Sequence, residues 1–399
     1  MMKILSIETS CDETAVSIVE ATGGSENPTF IVLGNALFSQ IAIHKEYGGV
    51  FPMLAKREHA KNLSPILKKA LTDASLFNES KTKHSEKIWS ELEKILEREE
   101  GLYLGFRKIF ENIEKPDIDV IAVTSGPGLE PALWVGISFA EALGKLWNIP
   151  VIGTNHMEGH IASILIENSD NRKVKFPALA LLISGGHTEI VEIESWGKYS
   201  VIGETLDDAV GEAFDKVARM LELPYPGGPE VSKLAEKARI EKLVPVAKLP
   251  RPMIYSNNLN FSFSGLKTAV LYYIRDNFVE KNGVLSVTDK SDIAREFEDA
   301  VVEVLLNKME LALNNSSAKT LIVAGGVIAN KKIREIFMKL ENKYNGLVVK
   351  IPTKELSTDN ALMIACATYL NINLYPELLS LKKQIIAKGN IKLGIATLK

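Results

Sequence analysis

Cysteine is scarce in this chain: Cys11 and Cys366 are the only two among 399 residues. Two thiols cannot build a disulfide framework, so a small stapled secreted scaffold is excluded and reduced cytoplasmic thiols are the simpler expectation. Long hydrophobic runs are missing as well, and none approaches the ~20 apolar residues that a membrane-spanning helix needs. The opening Met1-Met2-Lys3-Ile4-Leu5-Ser6-Ile7 enters an apolar strand pattern at once, without a signal-peptide cleavage region, which again suggests a cytoplasmic protein. Charge of one sign is not in excess: 47 basic and 50 acidic residues leave a net charge of −3. An RNA-binding surface would therefore be a local patch and not a global field. Histidine is rare too, with six in the chain, so two of them close together carry information.

What is present belongs to a soluble globular protein, with 46% apolar and 24% charged residues. The length exceeds one ordinary core and points to two lobes. Two alternating apolar segments, 3–8 and 15–20, flank the polar turn Thr9-Ser10-Cys11-Asp12-Glu13-Thr14. The same pattern returns at 178–183 and 189–194 around Ser184-Gly185-Gly186-His187-Thr188, a repeat in pattern though not in letters. A third strand and turn, Leu321 to Gly326, leads into a helical pattern over 327–340. Helical patterns also cover 54–74, 131–147, 157–167, 209–221, 293–313 and 360–370. Alternating strands and helices of this kind imply an α/β protein with mixed sheets. The stretch 78–115 is rich in Glu and Lys, with Ile88, Leu92, Ile95 and Leu96 at helical spacing, and reads as an inserted solvent-facing amphipathic helix or hairpin.

The most telling string is Asn155-His156-Met157-Glu158-Gly159-His160. Residues i and i+4 share a helix face, so both imidazoles can ligate one divalent metal ion. A zinc peptidase would carry its general-base Glu directly after the first His, where this chain has Met157. A third ligand is needed, and Asp359 is the best-placed acid; at the start of a helical pattern it serves equally well as a cap. Iron or zinc suits imidazole plus carboxylate. The Gly-rich turns at Ser184–Thr188, Tyr225–Pro229 and Ala324–Val327 could each bring bare backbone against a nucleotide, although each alone is more often a turn needing glycine for positive φ. Asp215 reads as a ribose hydroxyl acceptor or as a surface partner of Arg219. Asp12 and Glu13 form an acidic pair suited to base or metal–phosphate chemistry, or to turn capping. A basic run, His44, Lys45, Lys56, Arg57, His59 and Lys61 with Tyr47 and Phe51, is an RNA footprint or, more commonly, a solvated helix face.

Taken together, Ile7-Glu8-Thr9-Ser10-Cys11-Asp12-Glu13-Thr14, HKEYGGVFP, TSGPGLEPAL, NHMEGH, SGGHT, LDDAVGEAFDK, YPGGP, FSFSGLKTA, AGGVIAN and STDNA resemble the TsaD family, the bacterial tRNA adenosine threonylcarbamoyltransferases once described as glycoproteases. The resemblance spans almost the whole chain in order. It implies an α/β, two-lobed actin/hexokinase-like (ASKHA) ATPase fold with duplicated mixed β-sheets flanked by helices. Lobe I is expected at 1–152, with the insertion near 78–115, completed by 375–399; lobe II is expected at 153–374 with the metal and nucleotide-ligand site. The implied metal ligands are His156, His160 and Asp359. The implied ligand contacts are Leu182, Ile183, Ser184, Gly185, Gly186, Asp215, Gly228 and Asn330, holding threonylcarbamoyl-AMP, with an ATP- or AMP-like nucleotide in the same site. Asp12 or Glu13 would take the proton of the attacking amine. The implied partners are tRNA, a TsaB-like paralogous pseudo-enzyme and a TsaE-like P-loop ATPase. Met53, Glu130-Pro131 and the segment 82–101 depart from the family's usual pattern. A metal-dependent glycoprotease, a sugar-kinase-like phosphotransferase and a non-catalytic paralogue are the rivals; the last would be expected to lack the His pair and Asp359.

Overall fold

In the computed structural model, which describes residues 1–80, 84–166, 172–278, 283–380 and 384–393, the two strand–turn–strand patterns fold as two sheets of the same design. The first contains β1 (Met2–Glu8), β2 (Glu13–Thr22), β3 (Thr29–Ser39), β4 (Val120–Gly126) and β5 (Val151–Asn155) in the order β3-β2-β1-β4-β5. Strands β1–β3 pair antiparallel, whereas β4 and β5 add in parallel. The second contains β6 (Ala178–Ile183), β7 (Thr188–Ser195), β8 (Lys198–Glu204), β9 (Thr320–Ala324) and β10 (Val348–Lys350) in the order β10-β9-β6-β7-β8. Strand β6 pairs antiparallel with β7 and parallel with β9, as β1 does with β2 and β4. The fold is thus the duplicated mixed α/β arrangement expected. Strands β4, β6 and β9 are buried along their whole length, which explains their continuous Val/Ile/Leu/Ala runs.

The chain divides into two compact units: Met1–Lys173, Trp196–Lys198 and Asp359–Lys399 in the first, Val174–Ser195 and Tyr199–Thr358 in the second. The sequence expectation drew its boundaries at 152 and 374 and put the metal ligands in lobe II. His156, His160 and Asp359 instead belong to the first unit. The reason is pairing and packing: β5 extends the first sheet, and the helix Ala361–Leu374 packs on β1, β2 and the helix His156–Ala162. Residues 381–383 and 394–399 of the C-terminal segment, and Glu167 at the end of the 157–167 pattern, lie outside the described residues.

Within the first unit, residues 81–83 of the segment 78–115 lie outside the described residues, and the described ones include two helices, Glu86–Leu96 and Leu102–Phe110. Their apolar stripes are not solvent-facing. Trp89, Leu92, Leu96, Phe106 and Phe110 are buried, and Phe106 meets Phe139 of the helix Glu130–Trp147 edge-on at 5.4 Å. In the second unit, the helix Val287–Asn314 opens with Ser286 and Asp289 in a reciprocal capping box, and its apolar side joins the core beneath β6 and β9. The sequence pattern over 327–340 is split: a 3₁₀ turn covers Gly326–Ala329, Asn330 is extended, and a helix follows at Lys331–Met338.

Candidate metal centre and ligand cavity

The candidate metal centre is assembled where β5 meets the helix His156–Ala162. Asn155 ends the strand, and its Oδ1 accepts from the backbone N–H groups of Met157 (2.8 Å) and Glu158 (3.1 Å), starting the helix at His156. His156 and His160 then lie one turn apart, with ring centroids 4.7 Å apart. Gly159 lets this helix approach its neighbour: a Cβ there would sit 3.0 Å from Ile364 Cδ1 and 3.1 Å from Met363 Cγ. That close approach brings the start of the helix Ala361–Leu374 to the imidazoles. The cap of that helix is Asn360, whose Oδ1 accepts from Met363 N at 3.0 Å. Asp359 is therefore released from capping, and its Oδ1 lies 3.4 Å from His156 Nε2 and 3.3 Å from His160 Nε2.

These separations fit a metal ion. Bonds of about 2.0–2.1 Å in a tetrahedral array require donor atoms about 3.3 Å apart. Among the described residues, the two ring nitrogens of His160 are buried without a hydrogen-bond partner, and Nε2 makes only ionic-range contact with Asp359. An orphaned buried imidazole is costly unless something ligates it. Burial opposes ionisation of Asp359, but His156 and then His160 hold its carboxyl far below the usual carboxylate range. Burial likewise disfavours the charged His156, which Asp359 and Glu8 nevertheless hold well above an ordinary imidazole. His160 is lowered, chiefly by burial.

Glu8, the buried last residue of β1, stands behind His156: its Oε2 is 3.1 Å from Nδ1 and Ser10 Oγ is 3.2 Å from the same nitrogen. The turn after Glu8 carries Asp12, which is buried, and Glu13. Burial first, then the neighbouring charge of Asp12, pushes the Glu13 carboxyl well above its usual range. The turn is held from beneath by His59, whose Nε2 donates to the Cys11 carbonyl (2.9 Å) while Nδ1 accepts from Thr14 Oγ1 (2.8 Å). His44 and His59 are thus core residues and not part of a solvated basic face, whereas Tyr47 and Phe51 are exposed. Met157 is buried, and Glu158 turns away from the ligands to accept from Asn371 Nδ2 at 2.9 Å.

The second unit contains a cavity of about 590 Å³, within the usual range for small-ligand sites. Gly185, Asp215, Gly228 and Asn330 line it. Leu182 and Ile183 are buried in β6, and Ser184 closes the hairpin turn, with its N–H donating to the His187 carbonyl (2.9 Å) and its Oγ accepting from His187 N (3.1 Å). Neither Gly185 nor Gly186 has left-handed φ, and a Cβ at either would meet open space, so the turn does not need glycine for its conformation. Asp215 Oδ1 accepts from Gly227 N at 2.7 Å, which seats Gly227 so tightly that a Cβ would lie 2.4 Å from Ala218 Cβ. Next to it, Gly228 faces free space. Asn330 caps its helix through Oδ1 (Ile333 N, 3.0 Å) and donates from Nδ2 to Ser232 Oγ and Glu298 Oε1, both at 2.7 Å. Ser232, Glu298 and Arg239 also line the cavity, and sequence reading did not single them out. Arg239 pairs with Glu298 and Asp299, and these bonds hold its guanidinium above its usual range against the cost of burial.

Comparison with known proteins then decides the family. The sequence profile of TsaD, tRNA N6-adenosine threonylcarbamoyltransferase, matches residues 31–88 and 78–366. The chain belongs to that family. A tRNA N6-adenosine threonylcarbamoyltransferase of Polynucleobacter asymbioticus is 42% identical over 376 residues, spanning 93% of this chain and 92% of that protein. One from Burkholderia ambifaria is 41% identical over 377 residues, with 94% of each chain covered. Among solved structures, full-length HypF in its phosphate- and nucleotide-bound form aligns with a TM-score of 0.49 at 14% identity, covering 94% of this chain and 47% of that one. In this member of the tRNA N6-adenosine threonylcarbamoyltransferase family, the clustered His156, His160 and Asp359 are all in the first unit and the lined cavity is in the second. No helix among the described residues is long and apolar enough to cross a membrane.

Proposed function

We propose that this chain transfers the threonylcarbamoyl group from threonylcarbamoyl-AMP to the exocyclic amine of the adenosine 3′ of the anticodon in tRNAs that read ANN codons; the name of its family supports transfer of that group to N6 of a tRNA adenosine. The amine nitrogen attacks the carbamoyl carbon, a C–N bond forms, the mixed-anhydride C–O bond breaks, and AMP leaves as the amine proton is lost. The observation that carries this reading, in a chain of this family, is the triangle of His156, His160 and Asp359 with its 3.3–3.4 Å separations. Those residues would hold one divalent ion, iron or zinc, whose chemistry when bound is charge stabilisation and orientation of the acyl donor. Gly185, Asp215, Gly228 and Asn330 would hold the AMP portion in the cavity of the second unit. Glu13 or Asp12, in the turn after β1, would accept the amine proton. The target base lies in a single-stranded loop and can be presented without opening a duplex. A cytoplasmic setting and help from TsaB-like and TsaE-like proteins follow from the same reading.

A glycoprotease is disfavoured by Met157 beside the first ligand and by the occupied, inward-turned Glu158. A sugar-kinase-like phosphotransferase has no use for the ligand triangle. The test is to supply threonylcarbamoyl-AMP, unmodified ANN-decoding tRNA and the accessory proteins, then measure the modified nucleoside by mass spectrometry. Product on tRNA supports transfer; turnover confined to protein or sugar substrates refutes it.

A further inference from the structure

We propose that Glu8 is a positioning residue that fixes which nitrogen of His156 faces the metal, and thereby sets the affinity of the centre. The inference rests on the metal reading of the triangle. Glu8 is fully buried at the end of β1, yet each oxygen of its carboxylate has a hydrogen-bond partner. Oε1 accepts from Ser10 N at 2.5 Å; Oε2 accepts from Thr124 Oγ1 at 2.5 Å and lies 3.1 Å from His156 Nδ1. A carboxylate has only acceptors to offer, so the proton shared with His156 belongs to Nδ1. The lone pair of Nε2 is then directed to the side where Asp359 Oδ1 sits, 3.4 Å away. Among the described residues, Nδ1 of His160 has no hydrogen-bond partner, so that ring lacks the support that Glu8 gives His156. The arrangement is therefore asymmetric: His156 is held from behind by Glu8, whereas His160 meets Asp359 on the side of Nε2. Glu8 also brings a second buried negative charge, after Asp359, so that a divalent ion can be buried as a near-neutral assembly.

Glutamine has the shape of Glu8 but not its all-acceptor character. Whichever way the amide is turned, its NH₂ meets Ser10 N–H, or it meets Thr124 and Nδ1 and offers His156 a proton, which favours the wrong tautomer. The experiment is a Co²⁺ and Zn²⁺ titration of metal-free protein against a chromophoric chelator, on wild type, Glu8→Gln and Thr124→Val. Near-UV circular dichroism of the metal-free proteins checks that each is folded. For Glu8→Gln the expected result is a 10- to 100-fold weaker metal Kd, a changed visible Co²⁺ spectrum and an unaltered fold. A folded Glu8→Gln with wild-type affinity and spectrum overturns the proposal. If Glu8→Gln fails to fold, Thr124→Val decides: it removes one donor from Oε2, weaker metal binding supports the role, and unchanged binding overturns it. If wild type itself binds no metal, the metal reading falls and this proposal with it, an outcome distinct from loss in the variants alone.

Discussion

Asn371 Nδ2 donates to Oε2 of Glu158 at 2.9 Å, and both side chains are buried where the helices His156–Ala162 and Ala361–Leu374 pack together. The bond ties the one carboxylate of the HMEGH string into the packing and keeps it off the face shared by His156 and His160. Glu158 is therefore a structural acid. Removing a catalytic base costs roughly 10²- to 10⁴-fold in rate. Glu158→Gln, which can keep a hydrogen bond to a reoriented Asn371, is expected to leave tRNA modification within a few-fold of wild type; a loss of catalytic-base size would reinstate Glu158 in the chemistry.

The ligand triangle makes a stoichiometric prediction. Protein purified without chelator is expected to carry one metal ion per chain by plasma emission analysis, and His160→Ala or Asp359→Asn to carry little. Retained stoichiometry in both variants would place the ion elsewhere.

His59 gives the fold a pH dependence of defined sign. Burial pushes its imidazole down from an ordinary 6.5 to about 4. Between those values the unfolded chain binds a proton that the folded chain refuses, so stability is full above pH 6.5 and falls as pH drops towards 4. The depth of that loss is about 3 kcal/mol. Denaturant midpoints of wild type and His59→Gln at pH 7.5 and pH 5 check this: the variant's midpoint is expected to change less between the two. Equal changes in both proteins would contradict it.

Gly227 and Gly228 are neighbours with opposite constraints. A methyl at Gly227 meets Ala218 Cβ at 2.4 Å and Asp215 Cα at 2.8 Å, so Gly227→Ala is expected to cost about 1–3 kcal/mol of stability. Gly228→Leu meets no neighbour at its Cβ and projects into the cavity. It is expected to keep the wild-type melting temperature and to weaken AMP binding, measured calorimetrically, by tenfold or more, a change of about 1.4 kcal/mol. The reverse pattern would show that the cavity is not where the nucleotide portion sits.

Phe106, in the insertion, has no exposed surface and meets Trp89, Phe110 and Phe139. Phe106→Ala is expected to destabilise the protein by about 3–5 kcal/mol. A loss below ~1 kcal/mol in chemical denaturation would return the hairpin to the role of a solvent-facing appendage.

The strand–turn–strand repeat was legible because period-two alternation and polar turns are local signals, and the two sheets reproduce it. His156 and His160 were legible for the same reason, through helical spacing. Asp359 was ambiguous in sequence between cap and ligand, and its neighbour Asn360 takes the cap. The break at Asn330 was signalled only by a good capping residue inside an apolar helical pattern. Ser232, Arg239 and Glu298 could not be found along the chain, because Ser232 and Arg239 lie on one helix, Glu298 on another, and they meet Asn330 only through packing. His44 and His59 looked like part of a solvated basic run. Neutral imidazoles with satisfied partners can be buried where lysine cannot, and nothing local distinguishes the two cases. Glu8 carried a faint mark, as an acid closing an otherwise apolar strand pattern.

The measurement that bears most directly on the central claim is the yield of threonylcarbamoyl-modified adenosine, by nucleoside mass spectrometry, from threonylcarbamoyl-AMP and unmodified tRNA. It compares wild type with the double variant His156→Ala/His160→Ala under identical accessory proteins. The expected result is AMP and modified nucleoside in equal amounts with wild type, and a yield from the double variant lower by orders of magnitude. Equal yields from the two proteins would contradict a metal-centred transferase built on His156, His160 and Asp359.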